Sequence, residues 1–393
     1  MFAEAKAMGS SFIRLDVEMA PIFEAGGAWR PQPDWIGLDR VEALSRQYGL
    51  PDVGVLRATP TPLSTCPEGP DPGECPPSDY GRYGSLAGQI ASHARGTIRY
   101  WEVLNEPDGS WAFTGSAADY AWMLRRTYDA VRSAAPEDRV LLGGVMGVSS
   151  QGWLGRMFDT PGADARHRFD IANLHLRAPL IALQASLMAF RAFLAGRGFH
   201  GPLWLTEHGY PGAPDFQSDP AYRGGEQAQA HYLRQSLPTL VRAGAAQAFV
   251  TLRDGTPAEF GNSAYTSEGL LHVGSSTPYT VRLKPAFALV QWLARLWPRL
   301  PATARDLDRW RTQLRVEEPL VRAYLRRGYR ERKLARRYRG RARRAKKARS
   351  RHRYLRAAAR HDRRYALYTQ RIAGHVAAAR LLSSLIAGYR EGP

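Results

Sequence analysis

The feature that most constrains this chain is a rhythm: short, apolar, β-rich runs separated by segments of helical periodicity. Strand candidates are residues 11–17, 51–57, 97–105, 139–145, 169–176, 202–207 and 246–252. Helical stretches at 37–48, 83–94, 117–134, 151–158, 180–196 and 225–244 lie between them, and 285–296 closes the series. A repeated β-then-α order means a parallel sheet, either open and doubly wound or closed as a barrel. No Gly-rich phosphate loop follows any strand. Polar residues gather instead at the C-terminal ends of the runs: Arg14 and Asp16, Asn105 and Glu106, His175, Glu207, Arg253 and Asp254. Barrel enzymes carry their chemistry on that rim, so the reading is a (β/α)8 TIM barrel.

The count of strands is seven rather than eight. Residues 2–9 read as the last turns of a helix leading into the first run. The expectation is a barrel that lacks its first strand in this chain, with any signal peptide lost alongside it. The runs 11–17 and 246–252 should then not pair with each other.

Net charge locates a second part. Residues 301–393 hold 28 Lys/Arg and 7 Asp/Glu, whereas residues 1–300 hold 27 and 29. The expected domains are therefore a near-neutral barrel over 1–300 and a basic α-helical tail over 301–393. Within the tail, 297–310 reads as a linker and 316–360 as Arg-rich helix. From Arg364 an amphipathic helix follows, with apolar residues at three- and four-residue steps. The tail has three readings: a solvated appendage, an anchor to a polyanion or anionic surface, or a nucleic-acid binder. The sequence argues against the last, because no nucleic-acid motif of fixed spacing is present.

Cys66 and Cys75 are the only cysteines. Two thiols are too few for a structural zinc site. They are either a loop-closing disulfide or two idle thiols. The Pro/Gly-rich segment between them has little other means of being ordered, which favours the disulfide and an oxidising compartment. The expected location is extracellular or cell-surface, with the cytoplasm as the alternative. No apolar run is long enough for a transmembrane helix.

Two glutamates close strands. In YWEVLNEPDG, Tyr100, Glu102, Leu104 and Glu106 share a face by period two, and Pro107 stops the strand. In GPLWLTEHGYPG, Leu203, Leu205 and Glu207 share a face. Strands four and seven of an eight-strand barrel lie on opposite sides of its mouth, so these carboxyls can meet across it. Glycoside hydrolysis with retention needs two carboxyls roughly 5–5.5 Å apart. Glu102, deeper in the barrel, is expected to pair with a basic group such as Arg14 or Arg57, because a lone carboxylate there would be too costly.

WEVLNEP and WLTEHGYP resemble the acid/base and nucleophile segments of clan A glycoside hydrolases, closest in flavour to families 39 and 5. The resemblance spans about Phe2 to Leu296. It implies that Glu106 is the acid/base and Glu207 the nucleophile of a retaining glycosidase with no cofactor and no metal, acting on a carbohydrate. Asn105 is similar to the residue that binds the sugar 2-hydroxyl, Arg14 to the arginine that keeps the nucleophile ionised, and His175 to the sixth-strand histidine. Two residues after that histidine the family often has an aromatic, and this chain has Arg177. The eighth run ends FVTLRDG without the family's frequent Trp. Trp101, Trp111, Trp122 and Tyr210 are the candidates for sugar stacking. The alternative functions are a non-catalytic glycan-binding barrel and a polyanion-binding protein driven by the tail.

Overall fold

The computed structural model describes residues 1–274, 280–295 and 304–390. The chain divides into two compact units, Met1–Ala294 and Arg295–Pro393.

The first unit is built on parallel strands. β1 (Ile13–Glu18) is followed by a small hairpin, β2 (Glu24–Ala25) with β3 (Ala28–Trp29). Then come β4 (Asp52–Arg57), β5 (Ile98–Val103), β6 (Arg139–Leu141), β7 (Val145–Met146), β8 (Ala172–His175), β9 (Leu203–His208) and β10 (Gln247–Val250). A second hairpin, β11 (Leu271–Val273) with β12 (Val281–Leu283), completes the set. Two ladders run β1-β4-β5-β6 and β7-β8-β9-β10. Parallel bridges from Asn105 to Gly144 and from Leu141 to Ile171 join them. Among the described residues the result is an incomplete (β/α)8 barrel of seven parallel strands, with β6 and β7 as two halves of one.

That split corrects the expected continuous strand at 139–145, and its cause is local. A Cβ at Gly143 would run into the Val103 carbonyl, and one at Gly144 into the His175 ring. The neighbours sit so close that only glycine fits, and the ladder breaks there. The expected strand 97–105 also ends early, at Val103, because Leu104 takes φ 61°.

β1 pairs only with β4 and β10 only with β9, so among the described residues the first and last strands do not pair with each other. Side chains bridge them instead. Phe12, Tyr100, Trp204 and Phe249 plug the N-terminal end of the barrel, with Phe12 5.3 Å from Tyr100 and 6.2 Å from Phe249 between ring centroids. Aromatic groups of this size dominate the energetics of such a core. Outside the strands, α1 (Phe2–Met8) packs on α10 (Pro285–Ala294), where the Gln291 side chain donates to the Ala7 carbonyl at 2.6 Å. The expected helix end at Leu296 lies outside the described residues. Cys66 and Cys75 form a disulfide.

The second unit is a pair of long helices, α11 (Ala304–Arg344) and α12 (Ala348–Arg390), packed on each other. Helix thus begins inside the stretch expected as a linker, whose residues 297–303 lie outside the described residues. Contact positions recur every seven residues, as in a coiled coil. On α11 they are Glu317, Tyr324, Glu331 and Tyr338, and on α12 Tyr354, His361, Tyr368 and His375. His361 bonds Glu331 and His375 bonds Glu317, each at 2.6 Å. Each imidazole also stacks on a tyrosine, His361 on Tyr338 and His375 on Tyr324. Gly328, Ala335 and Ala342 form the small-residue seam beside them. None of the described helices is long and apolar enough to cross a membrane.

Candidate active site

Four strands, β1, β5, β8 and β9, bring five of the six expected site residues together. Arg14 leaves β1 and reaches Glu102 on β5 with two parallel bonds, Nε to Oε2 at 2.7 Å and Nη2 to Oε1 at 2.8 Å. Nη2 also donates to Asn105 Oδ1 at 2.7 Å, and Nη1 donates to Glu207 Oε1 at 3.1 Å. Glu102 is fully buried, and it also accepts from the Gly144 amide at 3.1 Å. Its expected structural pairing with Arg14 is therefore present, while Arg57 instead bonds Asp16.

Glu106 follows β5 on a strained backbone. Its φ is 46°, two residues after Leu104 at 61°, both uncommon for residues with a side chain. Such strain persists only where the surroundings impose it. Here the Glu106 amide is held by the Gly144 carbonyl at 3.1 Å. The buried Glu106 carboxyl meets His175 Nδ1 at 2.7 Å.

The other ring nitrogen of His175, Nε2, lies 3.0 Å from Thr206 Oγ1. The Thr206 hydroxyl donates to Asn173 Oδ1 at 2.9 Å, and the Thr206 amide donates to the same oxygen at 3.2 Å, which fixes that amide's orientation. Thr206 must then accept from Nε2–H. That leaves Nδ1 to bond the Glu106 carboxyl. Glu106 and His175 are thus joined by a hydrogen bond between two buried side chains.

Glu207 is the opposite case. His175 Nδ1 is 3.6 Å from its Oε2, and Arg177 Nη2 donates to that oxygen at 3.0 Å. Burial alone would raise its pKa, but His175, Arg14 and Arg177 outweigh it and hold the carboxyl at about 2. The two carboxyls face one another: one oxygen of each, with a His175 nitrogen, lies within 4.8 Å of the others. That spacing would admit a metal ion. However, both Glu207 oxygens already take guanidinium N–H bonds, so the donor set fits proton transfer better than a cation.

Tyr210 does not join this cluster. Its ring stacks on Tyr232 at 4.4 Å, and its hydroxyl donates to the Tyr222 carbonyl at 3.1 Å and accepts from the Asp219 amide at 3.2 Å. It is a buried packing residue, which corrects the expected substrate contact. Trp101 is likewise internal, bonding Asp138, and Trp122 lies against Arg125 and Arg126. Trp111, five residues beyond Glu106, is 54 % exposed.

The sequence reading missed Glu268, Thr206 and Tyr265. Glu268 sits in a loop with no strand end to mark it, yet it is buried and grips Arg177 through Nε at 2.8 Å and Nη2 at 2.7 Å. Tyr265 lies over the Arg177 guanidinium at 4.8 Å and is 40 % exposed beside Phe260.

No protein-family model and no curated protein matches this sequence. Solved structures do match. A glucosidase from Croceicoccus marinus superposes with TM-score 0.58 at 14% identity, over 75% of this chain and 63% of that one. A family 5 subfamily 18 glycoside hydrolase from Streptomyces cattleya, in complex with Manβ1-4GlcNAc, gives 0.55 at 18%, over 77% and 75%. A family 39 glycoside hydrolase from Bacteroides cellulosilyticus gives 0.52 at 16%, over 75% and 59%. The fold is the (β/α)8 barrel that these three glycoside hydrolases share. The chain spans about three-fifths of the length of the Croceicoccus and Bacteroides proteins.

Proposed function

We propose that the barrel is a retaining glycoside hydrolase acting on O-glycosidic bonds of a carbohydrate. The observation that carries this reading is the pair of facing carboxyls within 4.8 Å, one buried and hydrogen-bonded to His175 and one held ionised by two arginines. Retention needs that division of labour at roughly that separation. Glu207 attacks the anomeric carbon while Glu106 protonates the departing oxygen. Water then attacks the glycosyl-enzyme, its proton passes to Glu106, and the bonding pair returns to Glu207. In this reading Asn105, whose Oδ1 accepts from Arg14, bonds the sugar 2-hydroxyl, and exposed Tyr265 and Trp111 offer stacking surfaces. The Cys66–Cys75 disulfide supports an extracellular or cell-surface location. The test is a panel of aryl glycosides with the product anomer followed by proton NMR. Retention is expected. Initial formation of the inverted anomer rejects the mechanism, and no cleavage of any member favours a glycan-binding barrel.

A second reading concerns the hairpin. Residues 322–364 carry 21 Lys/Arg and 2 Asp/Glu. Both acids are tied inside it, Glu331 to His361 and Asp362 to Arg339. The unopposed charge suits a polyanionic glycan. Elution of the full chain from a sulfated polysaccharide resin should need less salt when Arg336, Arg337, Arg343 and Arg344 are changed to Gln. An unchanged salt requirement rejects this reading.

A further inference from the structure

We propose that Arg177 is a positioning residue for Glu207: anchored from behind by Glu268, it holds the second oxygen of that carboxylate and makes Glu207 a weak attacker and a good leaving group. The inference rests on the retaining reading above and deepens it.

Glu207 sits between two forks of the same design. Arg14 spends Nε and Nη2 on buried Glu102 and gives Nη1 to Glu207 Oε1. Arg177 spends Nε and Nη2 on buried Glu268 and gives Nη2 to Glu207 Oε2. A bidentate arginine–carboxylate pair has fixed geometry, so each guanidinium arrives at Glu207 already oriented. Glu268 is itself pinned. The Thr251 hydroxyl donates to its Oε2 at 3.1 Å, and the Gln229 side chain donates to its backbone carbonyl at 2.9 Å. A Cβ at Gly209 would run into its carboxyl, so glycine two residues after Glu207 makes the room it needs. Four segments converge on this one clamp: the residues following β8, the end of β9, the residue following β10, and the loop that carries Glu268.

The chemistry follows from where the electron pair goes. In the first step a Glu207 oxygen gives its pair to the anomeric carbon, the glycosidic bond breaks, and the leaving oxygen takes the Glu106 proton. In the second, water bonds to that carbon, loses a proton to Glu106, and the pair of the ester bond returns to Glu207. N–H donors aimed at both oxygens oppose the first transfer and favour the second. The covalent intermediate should therefore not accumulate in the wild type, even with a dinitrophenolate leaving group.

Arg177→Met alone strands Glu268 and can fail to fold, so the double variant Arg177→Met/Glu268→Leu, which removes the buried pair together, is made beside it and beside Arg177→Lys. Two readouts are taken. The titration midpoint of Glu207, followed by carbon-13 NMR of glutamate-labelled protein, needs no turnover. The mass of the intact protein after mixing with dinitrophenyl glycosides reports trapped intermediate. In the double variant the midpoint should rise by about one pH unit or more, and a glycosyl adduct should build up as its hydrolysis slows by about tenfold or more. Arg177→Lys should recover part of both. An unchanged midpoint in the double variant overturns the clamp, whether or not glycosides are cleaved. A raised midpoint in a protein that cleaves no glycoside, wild type included, overturns the hydrolase reading and leaves the clamp standing.

Discussion

His175 touches Glu106 through Nδ1 at 2.7 Å, and its other nitrogen is engaged by Thr206. The imidazole therefore cannot turn away, and on the retaining reading its bond to Glu106 orients that carboxyl toward the leaving oxygen. His175→Phe should lose this. Cleavage of glycosides with poor leaving groups should fall by roughly 10²–10⁴-fold, and that of dinitrophenyl glycosides much less. Equal losses across the leaving-group series would assign His175 to packing alone.

Arg14 belongs to the fold as much as to the chemistry. Its removal leaves the fully buried Glu102 without a counter-charge. Breaking a buried pair from one side costs about 3–5 kcal/mol. Arg14→Met should lower Tm by on the order of 10 °C, and Arg14→Met/Glu102→Leu by clearly less. Calorimetry of the two variants decides it: equal losses would mean that the pair, and not the stranded carboxylate, carries the energy.

The strand rhythm and the two glutamates were legible because each is a local pattern. Period two and a terminating proline put Glu106 on a rim, and the same holds for Glu207. His175 could be read from its strand-end position, and Arg14, the second residue of β1, from its likeness to the family's arginine. Glu268 could not, since it reaches the site from a loop whose course depends on Gly269 crossing over the Arg253–Asp254 backbone, where no Cβ fits. Tyr210 misled for the reverse reason. It lies three residues beyond Glu207, but the chain turns there and buries its ring against Tyr232. In the second unit the seven-residue ladder of Glu, Tyr and His was hidden by the surrounding arginines, which read as charge before they read as period.

Two carboxyls give opposite pH signatures. Burial and the neighbouring Glu42 push Asp52 up to about 6, against the Ser45 hydroxyl, which pulls it down. A raised carboxyl favours the folded state while protonated, so its contribution is present below its unfolded value near 3.8 and is lost as pH rises through about 6. Asp52→Asn should thus stabilise the protein by about 3 kcal/mol at pH 8 and by almost nothing at pH 3. Glu207, held at about 2, works the other way: its stabilisation is present above about 4.5 and fades as pH falls through 2. Denaturant melts of Asp52→Asn against wild type across pH 3 to 8 test the first. A gain that does not grow with pH would contradict it.

The roles of the two glutamates can be separated by azide. Glu207→Ala should abolish hydrolysis of every glycoside, because on the retaining reading it removes the group that attacks the anomeric carbon. Glu106→Ala should behave differently. Dinitrophenolate departs without protonation, so the first step survives and the covalent intermediate accumulates, since its hydrolysis still needs Glu106 as base. Azide needs no base. It should rescue Glu106→Ala and yield a glycosyl azide of retained configuration, because two displacements have occurred. In the gap left by Glu207→Ala it attacks directly, and one displacement inverts the centre. Proton NMR of the two azide products reads the configuration. Inversion from Glu106→Ala with retention from Glu207→Ala would mean that the carboxyl on His175 is the nucleophile and the one between the arginines the acid, against the geometry that divides them.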